Sequence, residues 1–155
     1  MQTLPLEGSP LPMPTSVPVT VGGGVSDERH VRELLAALKR GEAVWYASDQ
    51  SYRNKGAAMV PFFGHPAATN VFTSRLAAMT GAAVLYYETE RLPGTEGWQA
   101  TVHPPYEDFP SDDPVADTVR YHASIEEQIR RMPEQYWWIH RRFKGLSPDY
   151  ADPYA

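Results

Sequence analysis

An amphipathic run that stops on a glycine and passes straight into an apolar strand constrains this chain more than any other feature. Val31, Leu34, Leu35 and Leu38 recur at i, i+3, i+4 and i+7, so they make one stripe along a helix. Ser26 suits the N-cap of that helix, Asp27 and Glu28 favour its first turn, and Lys39 and Arg40 favour its last. Gly41 is the stop, and the spacing predicts a helix over 27–40. Ala43-Val44-Trp45-Tyr46-Ala47 follows at once, β-branched and aromatic without alternation, the pattern of a strand covered on both faces. A helix joined to a buried strand by a short loop is a unit of layered α/β architecture.

The remaining pattern extends that unit. Residues 57–63 are apolar but contain Pro61, which suits a short or edge segment. Phe72, Leu76 and Met79 keep helical spacing within 69–80, and Gly81 closes that helix before AAVLYY at 82–87, a second buried strand. Pro93 to Gly97 is a turn, and the alternation of 98–103 predicts an antiparallel partner for 82–87. Pro114 opens a third helix over 114–131, with Val115, Val119, Ile125, Ile129 and Met132 in period and Arg130-Arg131 at its C-terminal end, before Pro133 breaks it. The fold class this predicts is α/β: three αβα layers on a mixed sheet of 43–47, 82–87 and 98–103, part of it lying open. Five prolines before residue 19 forbid a helix and interrupt strand pairing, so 1–21 is expected to be an unstructured arm, 22–146 the folded part and 147–155 a polar tail.

Composition excludes several classes of function. The formal net charge of -5 argues against a general nucleic-acid binder, which needs a basic surface. There is no Cys, so no disulfide framework, thiol nucleophile or cysteine metal site can form. No apolar run approaches the roughly 18–20 residues that cross a bilayer. GxSxG, phosphate-loop and HExxH motifs do not occur, so no catalytic residue, metal or cofactor is assigned.

Two regions carry candidate binding chemistry. Ser48-Asp49-Gln50-Ser51 ends the first strand, where an open α/β sheet usually places ligand contacts, and Asp49, Arg53 and Lys55 share that loop. They suit an anionic headgroup or phosphate, whereas the structural alternative is a solvated loop with Asp49 capping a turn. The aromatic and basic run at 136–144, YWWIHRRFK, suits a membrane interface or anionic lipid through Arg141 and Arg142. Its structural alternative has Trp137 or Trp138 closing the core with both arginines solvated. His103 and Asp108 have HX4D spacing, but Pro104 and Pro105 between them force extended backbone. His122 and Glu127 have HX4E spacing, yet residues five apart on a helix turn away from each other.

LKRGEAVWYASDQ, VPFFGHPAAT, SRLAAMTGAAV, PPYEDFPSDDPVADT and RRMPEQYWWIHRRFKG, in that order, resemble the C-terminal half of the bacterial lipid A biosynthesis lauroyl (late) acyltransferases. The resemblance runs from about residue 22 to the end. It implies a partial fold of the glycerolipid-acyltransferase kind, and a family that moves a fatty acyl chain from an acyl carrier protein thioester onto a lipid A precursor at the cytoplasmic face of the inner membrane. The family's Pro-Asp-Gln/His-Asp turn falls on Ser48 to Ser51 and keeps Asp49, with Ser48 and Ser51 replacing its Pro and second Asp. Its Pro-Arg-Arg falls on Thr89-Glu90-Arg91 and keeps only Arg91, and Tyr86 stands where a Pro is usual, whereas HRRFK at 140–144 is intact.

The resemblance thus implies Asp49, Arg53, Lys55, Arg91, Arg141 and Arg142 as substrate-binding residues. The family's catalytic HX4D/E motif and membrane helix lie upstream of the matched part, so the expectation is a truncated homologue, inactive alone and without its own anchor. The alternative is a non-catalytic remnant or a module that binds anionic lipid.

Overall fold

The computed structural model describes residues 19–22, 28–53, 56–144 and 153–154; the predicted cap at Ser26 and Asp27, the candidate Lys55 and most of the predicted arm and tail lie outside the described residues. Element order is β1 (Val19–Gly22), α1 (Glu28–Lys39), β2 (Ala43–Tyr46), β3 (Ala57–Phe62), β4 (His65–Asn70), α2 (Phe72–Thr80), β5 (Leu85–Arg91), β6 (Trp98–Pro105) and α3 (Pro114–Arg131). The class is mixed α/β as predicted, but the strands do not join one mixed sheet. They form three two-stranded sheets, β1 parallel to β2, and β3–β4 and β5–β6 antiparallel.

Helix α1 follows its stripe, burying Leu34 and Ala37. Gly41 takes the left-handed backbone that ends it (φ 77°), with its N–H donating to the Leu38 carbonyl at 3.0 Å. Strand β2 is not covered on both faces. Its partner β1, drawn from the end of the predicted arm, pairs along one edge, and Ala43 and Trp45 face outward, Trp45 at 44% exposure.

The β3–β4 hairpin was not foreseen as a unit. Phe63 and Gly64 both have positive φ (51° and 76°), the pair of conformations a two-residue type I′ turn requires. Phe63 tolerates it because its N–H donates to Glu126 Oε1 at 2.8 Å and its ring sits under the Arg130 guanidinium at 4.9 Å. Pro61 lies opposite Pro66, a position where neither lost N–H is missed. Because Thr69 and Asn70 belong to β4, α2 starts at Phe72 and not at 69; Asn70 Oδ1 accepts from the Phe72 N–H at 3.0 Å.

Strand β5 begins at Leu85, later than predicted, and alternates exposed and covered side chains; its antiparallel pairing with β6 is as predicted. Helix α3 has the predicted bounds, and Asp113 caps it by accepting from the N–H groups of Val115 (2.9 Å) and Ala116 (3.1 Å). Its buried face differs from the one the apolar spacing suggests. Val115 and Val119 are exposed, while Asp117, Thr118, Tyr121, His122 and Ile129 are buried. The polar members are tolerated where they find partners: Asp117 Oδ2 accepts from Ser74 Oγ at 2.6 Å and from the Ser111 N–H at 3.0 Å. Phe62, Ala67 and Ile129 form the core here, with Phe63, Ile125, Tyr136 and Phe143 packed on it.

Candidate functional site

The turn that ends β2 meets the C-terminal segment, and each holds the other through side chains. Tyr136 Oη donates to Asp49 Oδ2 at 3.1 Å. The Ser51 N–H donates to His140 Nε2 at 3.1 Å, and Ser51 Oγ donates to the Lys144 carbonyl at 3.2 Å. An isolated bridge from Ser51 to Thr69 and a bond from the Tyr52 N–H to the Ala68 carbonyl (3.0 Å) tie the same turn to β4.

Arg142 is the keystone of this arrangement. It is 2% exposed, with Nη1 donating to the Ala68 carbonyl at 3.1 Å, Nη2 donating to Thr69 Oγ1 at 2.6 Å, and its guanidinium over the Phe62 ring at 5.2 Å. Burial lowers its pKa, and the Tyr136 and Asp49 oxygens counter that shift. Next to it His122 stacks edge-on to Phe62 at 5.4 Å and to Tyr121 at 5.2 Å. Neither His122 ring nitrogen has a hydrogen-bond partner of ordinary geometry, and burial, then Arg142, push its pKa down to about 4. The backbone of Ser48 and of Pro61 acts in the opposite sense but more weakly. His140 is also lowered, first by burial and then by Lys144, which agrees with its role as a neutral acceptor. Burial and the Asp49 carboxylate together raise the Tyr136 phenol, keeping it a donor.

Asp49 and Arg142 therefore fall in one cluster. Arg53 is exposed beside it, and Arg141 is exposed with its guanidinium over the Tyr154 ring at 5.6 Å. Arg91 lies apart on the β5–β6 hairpin, its backbone N–H and carbonyl bonded to Gln135 Oε1 and Nε2 at 2.7 and 3.1 Å. The structural alternative for 136–144 holds for the solvated Arg141 but not for the tryptophans or Arg142. Trp137 and Trp138 are exposed and Arg142 is buried, because Tyr136, His140 and Arg142 are the side chains that turn inward to partners. Tyr136 and His140 were missed as anchors; the only sequence signal was their place inside the intact aromatic and basic run.

A second polar group forms where β5–β6 meets α3. Glu88, nearly buried, accepts on Oε2 from Arg131 Nη2 at 2.7 Å and lies 3.3 Å from His103 Nε2. His103 thus faces Glu88 across the hairpin, and Asp108 sits in a tight turn where its carbonyl accepts from Arg120 Nη1. Tyr86, Tyr106 and Ser124 complete a cleft of about 370 Å³ there. Among the described residues no group of three or more His, Asp or Glu could hold a metal ion, and no helix is long and apolar enough to cross a membrane.

These two polar clusters sit on a chain whose residues 20–145 match the model of a family of acyl-group transferases. The chain belongs to the bacterial lipid A biosynthesis acyltransferase family. It is 41% identical over 116 residues to a lipid A biosynthesis palmitoleoyltransferase of Escherichia coli (strain K12), covering 74% of this chain and 38% of that protein. It is 38% identical over 119 residues to a lipid A biosynthesis lauroyltransferase of the same organism, covering 76% and 39%. A lipid A biosynthesis acyltransferase of Haemophilus influenzae is 30% identical over 129 residues, covering 82% and 41%. The chain spans about two fifths of the length of the curated relatives it matches.

Proposed function

We propose that this chain is the acceptor-side part of an enzyme that transfers a fatty acyl group from an acyl carrier protein thioester to a lipid A precursor, at the cytoplasmic face of the inner membrane. The observation that carries the reading is that the family match spans the turn holding Asp49 and the HRRFK segment, and that Tyr136 and His140 bond these two together. In this reading Arg53, Lys55 and Arg141 offer charge to an anionic acceptor, with Arg91 adding to it from the hairpin. Asp49 and Arg142 set the shape of the turn that leads to Arg53.

Acyl transfer to a hydroxyl needs a base to take the proton as the ester forms and the thiolate leaves. Of the histidines whose side chains are described, His140 accepts from Ser51, His122 is sealed in the core, His65 sits against Phe143, and His103 faces a carboxylate that Arg131 already holds. The purified chain is therefore expected to give no product from the two substrates. Residues 20–145 grafted in place of the matching segment of the E. coli palmitoleoyltransferase are expected to support transfer. In that chimera Asp49→Ala should lower kcat/KM by about 10- to 100-fold, the scale of a lost charge-assisted hydrogen bond. A folded chimera without turnover would count for the second reading, a non-catalytic lipid-binding module, which the exposure of Arg53 and Arg141 favours. Turnover by the chain alone, lost in His103→Ala, would instead put the base at the Glu88–His103 pair.

A further inference from the structure

We infer that Trp137, Trp138 and Ile139 form a rigid finger that inserts among the headgroups of a lipid bilayer, so that the chain docks by apolar contact and not by charge alone. The inference rests on the lipid-facing role proposed above for its setting, and it adds an element that role does not use. These three consecutive side chains are 70%, 58% and 83% exposed. Scattered surface apolar residues are ordinary, but three large ones in a row next to an apolar groove mark a contact surface.

The finger is held in shape without a partner. The Trp138 N–H donates to the Tyr136 carbonyl at 2.9 Å, the His140 N–H to the Trp137 carbonyl at 3.0 Å, and Trp138 Nε1 to the Pro133 carbonyl at 2.6 Å. The Tyr136 ring packs against that of Trp138 at 4.9 Å. Its base is pinned on both sides, by Tyr136 to Asp49 and by His140 to Ser51, with Arg142 buried just beyond. Little backbone freedom is left to lose on insertion, which is what makes such a loop effective.

Its surroundings select a bilayer as the occupant. A groove of about 370 Å³ runs beside the finger, lined by Phe63, Ile129, Pro133, Trp138 and Phe143 together with His65 and Arg130. Gln135 to Lys144 contains no acidic residue, while Arg141 is exposed and Lys144 half-exposed. Indole rings settle at headgroup level, and neighbouring arginine and lysine side chains reach up to phosphates. Two copies meeting finger to finger would set these cations against each other, which disfavours a dimer on this face.

Vesicle flotation of the full chain tests the inference, using phosphatidylcholine alone and phosphatidylcholine mixed with phosphatidylglycerol. Trp137→Ser with Ile139→Ser should lower partitioning on both vesicles by about tenfold or more, the scale expected for losing burial of two large apolar side chains. Arg53→Ala with Arg141→Ala should lower it on the anionic vesicles only, and less so as salt rises. The two failures are thus distinct: an inert Arg pair removes the charge reading, and an inert Trp–Ile pair overturns the finger. In a Trp45→Phe/Trp98→Phe chain, which keeps the finger intact, brominated lipid should quench the remaining indole emission; bound protein with unquenched emission overturns the inference. Reversible dimers in lipid-free sedimentation, lost on Trp137→Ser with Ile139→Ser, would also overturn it, in favour of a second copy as occupant.

Discussion

Helix α3 is shared by two regions built in opposite ways. On one side β3–β4 and α2 press against Thr118, Tyr121, His122 and Ile129, which are nearly dry, and Phe62 fills the space between them. On the other side the β5–β6 hairpin meets α3 through polar groups. Tyr86 Oη donates to Gln128 Oε1, Gln128 Nε2 donates to the Thr89 carbonyl at 2.8 Å, Arg131 pairs with Glu88, and the Tyr106 and Ser124 hydroxyls are hydrogen-bonded at 2.7 Å. The hairpin's Leu85, Tyr87, Trp98 and Val102 remain exposed. Apolar burial is the main favourable term in folding, whereas a net hydrogen bond adds only about 0.5–1.5 kcal/mol. Stability is therefore concentrated on the dry side, and the hairpin is the part able to open first.

The largest effect should come from Phe62→Ala. Phe62 touches Phe63, His122, Tyr136 and Phe143 and lies under the Arg142 guanidinium, so its loss opens a cavity that several elements share. A loss of about 3–5 kcal/mol in urea unfolding is expected, the usual range for a buried Phe. A cost below about 1 kcal/mol would mean that the two sides of α3 are not so different.

His122 sharpens the same contrast through pH. Its folded pKa of about 4 lies below the ordinary 6.5, so between those values the unfolded chain binds a proton that the folded chain excludes. Stability carries no such penalty above pH 6.5, falls as pH drops through that window, and has lost roughly 3 kcal/mol once pH is below the folded value. Denaturant midpoints of the wild type and His122→Leu, compared from pH 7 to 4, should show a steeper fall in the wild type. Equal slopes would show that the ring is not held neutral by its dry site.

Legibility in the sequence divides along similar lines. The helices were readable because leucines at helical spacing and glycines at 41 and 81 report local geometry, and α3 kept its bounds because Asp113-Pro114 is a strong start. Its buried face was not readable. Spacing selects Val115 and Val119, but Asp117 and Thr118 go inside: Thr118 Oγ1 and the Ser111 N–H make local bonds, to the Pro114 carbonyl and to Asp117, while the Ser74 hydroxyl that Asp117 accepts from comes from α2, a tertiary fact that spacing does not report. The β4 stretch HPAATN has Thr69 as its one β-branched residue and becomes a strand because Phe63-Gly64 folds it back onto β3. At the candidate site, Asp49 and the HRRFK run were visible as motifs. Which arginine turned inward was not, since Arg141 and Arg142 are chemically identical and only the position of Thr69 and the Ala68 carbonyl separates them.

The smallest global effect, and the sharpest local one, should follow Gln128→Ala. Gln128 is the side chain that reaches both Tyr86 and the Thr89 carbonyl, so it clamps the middle of β5 onto α3. Its removal deletes two hydrogen bonds at a partly wet surface where water can take over, and global stability should drop by no more than about 1 kcal/mol. The β5–β6 ladder itself would remain, since its pairing from Tyr87↔Val102 to Arg91↔Trp98 does not involve Gln128. What changes is the hairpin's attachment: with the Gln135 and Arg131 contacts as its remaining polar ties nearby, opening of the hairpin away from α3 should become more frequent. Hydrogen exchange should show this as faster exchange on β5 and β6 with unchanged protection on β3 and β4. Equal acceleration on both hairpins would mean that α3 transmits strain across itself, and that its dry and wet sides unfold as one unit.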